Sequence, residues 1–385
     1  MGHSTLFRPL AVISSLVPLC LAAYPEVVGD DRCDCYLTNG SSENYFTTHK
    51  FFDFRNKEDQ ADVPDIIGDA DESSQADPTN DYLSSAEWSD YWGLQSWNNS
   101  ASLSSNVSDA TVFMVHSANN VYFEKNQDKD ANSMTYLTMR TARLADFQTS
   151  CEFESIIQNY QFLSVRMYAR TLGPPGAVTA MFTYRIPDDA DDLAAVQESD
   201  LEIRTLDPPD SVQYTNQPSY TSMGLDVQDA TRNVTIPDGR DWTNWAVYRM
   251  DWTPGKTTWY IDGDEAASIS FQAPRDPSML IFNSWSDGGS WTGKMSVGSE
   301  ASLQIQWIEL VYNTSGTSDK KSDTRRHLVA INERDENEKR DEGSCYNVCS
   351  IDQREEVGTT TLLQGSAPRT MVSWVMVLCL ALLAW

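Results

Sequence analysis

Residues Ala194–Thr205 read "AAVQESDLEIRT", and from Glu198 to Ile203 acidic residues alternate with others one for one. A period of two is the signature of a β-strand with one buried face. On such a strand Glu198, Asp200 and Glu202 share one side, while Leu201 and Ile203 turn to the other. Like charges on one face repel and cost stability unless something uses them. They also perturb one another's titration, so that one carboxyl keeps its proton where another ionises. A solvated acidic face is the plain alternative to a site built on this arrangement.

The chain around the stretch has the same texture. "KTTWYIDG" (256–263) places Thr257, Trp259 and Ile261 on one face and ends in an Asp-Gly turn. "LQIQWIELVYN" (303–313) alternates with Leu303, Ile305 and Trp307 together. "FLSVRMYART" (162–171) and "AVTAMFTYR" (177–185) are two further runs, separated by "LGPPG", which no strand continues through. Many short strands at this spacing predict an all-β protein, a sandwich of antiparallel sheets rather than βα units. Residues 56–90 are acidic and polar and read as a long surface loop. Residues 314–344 are dense in charge and read as a linker, partly helical around His327–Ile331.

Both ends carry addresses. Residues 1–23, "MGHSTLFRPLAVISSLVPLCLAA", have one Arg, an apolar run and small residues at Ala22 and Ala23, the pattern of a secretory signal peptide. Residues 359–385 end in the apolar "MVSWVMVLCLALLAW", with small residues upstream at Gly358 or at Gly365-Ser366. Small site, polar spacer and apolar tail are the ingredients of a glycosylphosphatidylinositol (GPI) anchor signal whose tail is removed. The expected product is a secreted protein held on the outer leaflet of the plasma membrane, at the cell surface or cell wall. Sequons at Asn39, Asn98, Asn106, Asn233 and Asn313 fit that compartment.

Cutting both ends leaves Cys33, Cys35, Cys151, Cys345 and Cys349. The C-x-C and C-x-x-x-C spacings lack nearby His, so disulfides are expected rather than a metal site. Cys33 and Cys35 are expected to pair with Cys345 and Cys349, leaving Cys151 a buried thiol. The formal net charge of -28 sets the field against a phosphate backbone, so no nucleic-acid partner is expected. Twelve Trp, sixteen Tyr and thirteen Phe supply flat faces of the kind that stack on sugar rings. His49 and His116 stand alone and read as structural.

The motif "ESDLE" resembles the E-x-D-x-E signature of glycoside hydrolase family 16, the laminarinase and endo-β-glucanase family with a concanavalin A-like jelly roll. "YRMDWTPGKTTWYIDG" (248–263) is similar to the family's paired strands, and "NSWSDGGSWTG" (283–293) to its loop beside the cleft. "YLTMRTARL" (136–144) and the run 162–185 resemble the strands that precede the catalytic one. With both end signals, the chain resembles the fungal GPI-anchored cell-wall branch. The resemblance implies a jelly-roll domain over 24–313 with a concave cleft, followed by a linker over 314–358 carrying Cys345 and Cys349. It implies that Glu198 is the nucleophile of a retaining endo-β-1,3(4)-glucanase, Glu202 the general acid/base and Asp200 a hydrogen-bond partner of the nucleophile. The single residue between Asp200 and Glu202 matches the family's regular-strand form, and Ser199 departs from its usual apolar residue. Sugar contacts are expected from Trp285, Trp291, Tyr214 and Asn216; core roles are at least as fitting for Trp245, Trp259 and Trp307. Some relatives hold a structural calcium, but no ligands for one are marked here, and no cofactor is expected. The expected partner is β-glucan, bound by a monomer. Two alternatives use the same sandwich: a wall-glucan transglycosylase with the same residues, and a non-catalytic glucan-binding wall protein.

On a flat strand, four residues at about 3.3 Å each separate the Glu198 and Glu202 Cα atoms by about 13 Å. The two carboxyls of a retaining glycosidase lie ~5–5.5 Å apart. The assignment therefore needs side chains that lean together over a curved sheet.

Overall fold

The computed structural model describes residues 26–104, 108–185, 195–221, 223–316, 345–353 and 356–364. The expected signal peptide, residues 317–344 with the helical stretch expected at His327–Ile331, Asn106 and the apolar tail lie outside these residues.

Strands dominate, as the alternation predicts. The N-terminal strands are β1 (Glu26–Val28), β2 (Cys35–Leu37), β3 (Tyr45–Phe46), β4 (Thr48–Asp53) and β5 (Trp92–Leu94). Next come β6 (Met114–His116), β7 (Val121–Lys125), β8 (Thr135–Arg143), β9 (Gln148–Ser155) and β10 (Tyr160–Leu172). The central strands are β11 (Val178–Arg185), β12 (Gln197–Arg204), β13 (Ser211–Gln217) and β14 (Thr231–Thr235). They are followed by β15 (Ala246–Thr253), β16 (Lys256–Ile261), β17 (Asp264–Ile269), β18 (Met279–Trp285) and β19 (Glu300–Thr314). Beyond the linker stand β20 (Val348–Ser350) and β21 (Thr360–Gln364).

One long sheet turns back on itself where β9 meets β8. The leaf β14-β13-β12-β11-β18-β9 faces the leaf β8-β19-β10-β15-β16-β17. Leu201, Ile203, Val212 and Tyr214 of the first leaf share a core with Val165, Met167, Trp259 and Ile261 of the second. The Tyr214 and Trp259 rings meet across it at 5.3 Å. All pairs between neighbouring strands along these two leaves are antiparallel, giving the sandwich expected for the fold class. The outer face of the first leaf carries Glu198, Asp200 and Glu202.

Residues 56–90 are not the surface loop their composition suggests. Short helices at Ala70–Ser74, Asp81–Ser84 and Ala86–Ser89 punctuate them. Three of their apolar residues, Tyr82, Leu83 and Trp88, enter the main core, and the acidic residues stay outside. Packing overrides the average polarity because three large side chains suffice to seat the segment.

A second, five-stranded sheet joins the two ends in the order β1-β21-β20-β2-β3, with β2 and β20 parallel. Cys33 is bonded to Cys349 and Cys35 to Cys345, which joins the two ends as expected and settles the partners the sequence leaves open, and Cys151 is a buried free thiol. The boundary expected at 358/359 falls just before β21, which pairs with both β1 and β20, and Thr360 Oγ1 donates to Val28 O at 2.7 Å.

Charge holds this sheet against the sandwich. His49 Nδ1 lies 2.9 Å from Asp30 and its Nε2 2.9 Å from Glu309. Arg166 pairs with the same Glu309 at 2.6 Å and with Asp352 at 3.0 Å. Burial opposes a charge on His49, but its hydrogen bonds to Asp30 and Glu309 prevail and push its pKa up to about 9. His49 is thus an ion-pair member, structural as expected.

Candidate active site

β12 pairs with β11 and β13 in unbroken register, so each carboxylate has a fixed neighbour on both sides. Glu198 lies between Tyr184 and Gln217, Asp200 between Phe182 and Thr215, and Glu202 between Ala180 and Gln213. Opposite residues in a ladder point to the same face. The row through Glu202 continues past Ala180 to Asn283 on β18 and Glu152 on β9. Glu198, Glu202, Phe182, Ala180, Asn283, Glu152, Trp97, His116 and Trp285 line a cleft of about 330 Å³. The cleft therefore runs across the strands, and both glutamates open into it. Ala180, the smallest side chain of the row, leaves the floor low beside Glu202.

The opposite face of β12 explains the departure at Ser199. Ser199 is fully buried. Its Oγ donates to Asn216 Oδ1 at 2.6 Å and lies 2.9 Å from Thr257 Oγ1 of the other leaf. A hydroxyl is acceptable there because both of its neighbours are polar.

Electrostatics divides the three carboxyls. Burial pushes Glu198 up to about 7, and a hydrogen bond with Asp200 holds it from going further. Asp200 is raised by burial, then by the charges of Glu198 and Glu202, then by that same hydrogen bond; Gln217 opposes. A bond that lowers one partner and raises the other has its proton on the raised one, so Asp200 donates to Glu198. Asp200 Oδ1 agrees: it is buried and meets no donor among the described residues, a mismatch that protonation removes. Gln217 Nε2 donates to Asp200 Oδ2 at 3.2 Å. Burial, then the Glu198 charge, pushes Glu202 up to about 8 against the pull of Arg204. Burial thus raises both glutamates, the Asp200 hydrogen bond holds Glu198 down and the Glu198 charge lifts Glu202, a bias in the direction that nucleophile and general-acid roles need.

The predicted sugar contacts separate into two pairs. Trp285 lines the cleft, and its ring stacks on that of Trp291 at 6.0 Å and 23°. Arg204 lies over Trp291, 5.1 Å from its ring centre, and donates to its carbonyl at 3.1 Å. Gly288, at φ +68°, permits the turn between the two Trp residues, where a Cβ would strike Val112 and Thr111.

Tyr214 and Asn216 do not reach the cleft. Tyr214 is a core residue packed against Trp259, their rings tilted by 32°. Asn216 is buried, with its Nδ2 donating to the Ile269 and Phe271 carbonyls. The correction is one of parity: Gln213, Thr215 and Gln217, opposite the carboxylates, hold the cleft face of β13. Trp259 and Trp307 are buried as weighed, and Trp245 is half-buried against Arg170 and Tyr168.

Sequence reasoning missed four cleft residues. Trp97 Nε1 donates to Glu152 Oε1 at 2.7 Å, and Asn283 Nδ2 to Glu152 Oε2 at 3.3 Å. Burial pushes Glu152 up to about 7 against these two bonds. The His116 ring lies 4.2 Å from that of Trp97, tilted by 52°, and burial drives its pKa down to about 3, leaving a neutral imidazole in the cleft wall. The signal for Glu152 was present: in "CEFES", Cys151 and Phe153 alternate with Glu152 and Glu154.

Of the sequons, Asn98 and Asn233 are exposed. Asn39 is exposed too, and its Oδ1 accepts from Arg249. Asn313 is half-buried, and its Nδ2, the atom a glycan would occupy, donates to Tyr45 O.

A model of the glycosyl hydrolases family 16 matches residues 114–309, more than half of the chain and all of the cleft except Trp97, Asn99 and Ser102. The chain belongs to glycosyl hydrolases family 16. The family 16 relatives include a β-glucanase of Bacillus licheniformis, 24% identical over 186 residues, 46% of this chain and 72% of that protein. The Crh-like protein UTR2 of Candida albicans is 28% identical over 92 residues, 21% of this chain and 19% of its own length. Among solved structures, a prokaryotic β-1,3-1,4-glucanase (lichenase) from a mouse hindgut metagenome aligns with a TM-score of 0.43 and 17% identity. It covers 69% of this chain and 99% of its own.

Proposed function

We propose that this family 16 enzyme is a retaining endo-β-1,3(4)-glucanase acting on cell-wall or related β-glucan. The observation that carries the reading is the row of three carboxyls on one face of β12, two of them opening into a single cleft. Glu198 and Glu202 open into one cleft, and Asp200 between them keeps its proton and hydrogen-bonds the first. In the first step Glu198 attacks the anomeric carbon, the glycosidic bond breaks, and Glu202 passes its proton to the departing oxygen. In the second, Glu202 takes a proton from water, whose oxygen displaces Glu198 from the same carbon. Asp200 stays protonated and orients the nucleophile. Trp285 and the Trp97–Glu152–Asn283 group bind the chain along the cross-strand cleft.

A second reading uses the same residues with a sugar hydroxyl in place of water, giving transglycosylation. The regular, unbulged register of β12 favours it, since the family resemblance ties that form to transglycosylating members. Products from defined β-glucan oligosaccharides decide: only shorter chains mean hydrolysis, and chains longer than the donor mean transfer. No product of either kind overturns both.

The same reading places the protein at the cell surface by signal peptide and anchor. β21 supports an anchor residue at Gly365 or Ser366 rather than Gly358, since cleavage at Gly358 would remove a paired strand.

A further inference from the structure

Resting on that reading of the cleft, we propose that an N-glycan on Asn233 closes one end of the substrate path and limits the length of chain the enzyme accepts. The cross-strand row Glu152–Asn283–Ala180–Glu202 does not stop at the acid. Glu202 faces Gln213 on β13, and Gln213 faces Asn233 on β14. Val234 and Val212, the alternate pair, turn to the core side, so Asn233 is on the cleft face. β14 is the edge of this leaf, and Asn233 is exposed there. With strands about 4.8 Å apart, its Cα stands roughly 10 Å from that of Glu202.

An endo-acting site must hold glucan on both sides of the bond it breaks. One arm has the enclosed cleft of Trp97, Glu152, Asn283 and Trp285. The other must leave over β13 and β14. Gln213 marks that exit: its Oε1 is buried and lacks a partner among the described residues, an acceptor waiting for a sugar hydroxyl. The next residue outward is Asn233, in the sequon Asn233-Val234-Thr235. A glycan there is a bulky hydrophilic group standing on the path itself. Short chains end before it, and long ones meet it.

The test uses the full chain secreted from an N-glycosylating eukaryotic host, with glycopeptide mass mapping and kinetics on a graded series of β-glucan oligosaccharides. Asn233 is expected to be occupied. Asn233→Gln and Thr235→Ala both abolish the sequon and are expected to raise kcat/KM for the longest oligosaccharides by about tenfold, equivalent to ~1.4 kcal/mol. The shortest cleaved oligosaccharide keeps its wild-type rate, and Thr235→Ser, which retains the sequon, matches wild type throughout. An unoccupied Asn233, or long-chain rates unchanged in both sequon-free variants, overturns the inference. Wild-type turnover by Glu198→Gln in the same assay would instead overturn the reading of the cleft, and the inference with it.

Discussion

Glu202→Gln should make a less active but more stable protein. The Glu202 side chain makes no hydrogen bond to another described residue, so the amide removes a proton donor without breaking a side-chain hydrogen bond. Its ordinary pKa is 4.5, and in the fold it is pushed up to about 8. For a carboxyl with a raised folded pKa, the folded chain keeps the proton while the unfolded chain has released it. Stability is therefore full below pH 4.5 and declines as pH rises toward 8, beyond which the loss is constant. At about 1.4 kcal/mol per pH unit, the interval from 4.5 to pH 7 withholds about 3 kcal/mol. Glutamine carries no such penalty, so denaturant unfolding at pH 7 should show a gain of up to about 3 kcal/mol, shrinking to nothing near pH 4. Over the same substitution, kcat/KM on oligosaccharides should fall by ~10²–10⁴-fold, the usual worth of a general acid. The alkaline limb of the wild-type profile, near pH 8, should vanish from the residual activity. An aryl glycoside with a good leaving group, which needs little protonation, should lose far less in its first step. A variant that is less stable at pH 7, or that keeps wild-type turnover and its alkaline limb, refutes the reasoning.

Three further outcomes test the surroundings. Tyr214→Phe should leave KM unchanged, because the Tyr214 hydroxyl is buried without a partner among the described residues; Trp285→Ala should raise KM about tenfold or more, an aromatic–sugar contact being worth ~1.4 kcal/mol or above. His49→Gln should cost about 3 kcal/mol of stability at pH 6, since a pKa of about 9 against 6.5 stabilises fully below 6.5 and fades as pH rises through 9; urea midpoints of both proteins should converge above that pH.

The strand "QESDLEIR" was legible because its two faces differ so sharply in polarity that only one register buries Leu201 and Ile203. β13 was harder. In "SVQYTNQ" both faces carry residues that can hydrogen-bond, so polarity alone did not reveal which side meets the carboxylates. Val212 was the available clue: it shares a face with Tyr214 and Asn216, and the core claims all three. The cysteines announced that the chain ends meet, but not the strands between them. β2 and β20 pair across more than three hundred residues through only two register positions, too short for any periodicity to show. Residues 56–90 misled for a related reason: mean composition cannot report three buried side chains among many exposed acids. Glu152 and Trp97 come from segments far apart in the chain, brought into one cleft wall by the pairing of β5 with β9 and by their own hydrogen bond.

The central claim is that Glu198 becomes covalently bonded to sugar while Glu202 carries the proton. An activated β-glucan oligosaccharide glycoside with fluorine at C2 of the reacting sugar tests it directly. The fluorine slows both steps, and the good leaving group restores only the first. Intact mass should show one glycosyl unit added per chain, and peptide mapping should place it on Glu198. An adduct on Asp200 or Glu202, or steady turnover of ordinary substrate with no adduct formed, would contradict the account.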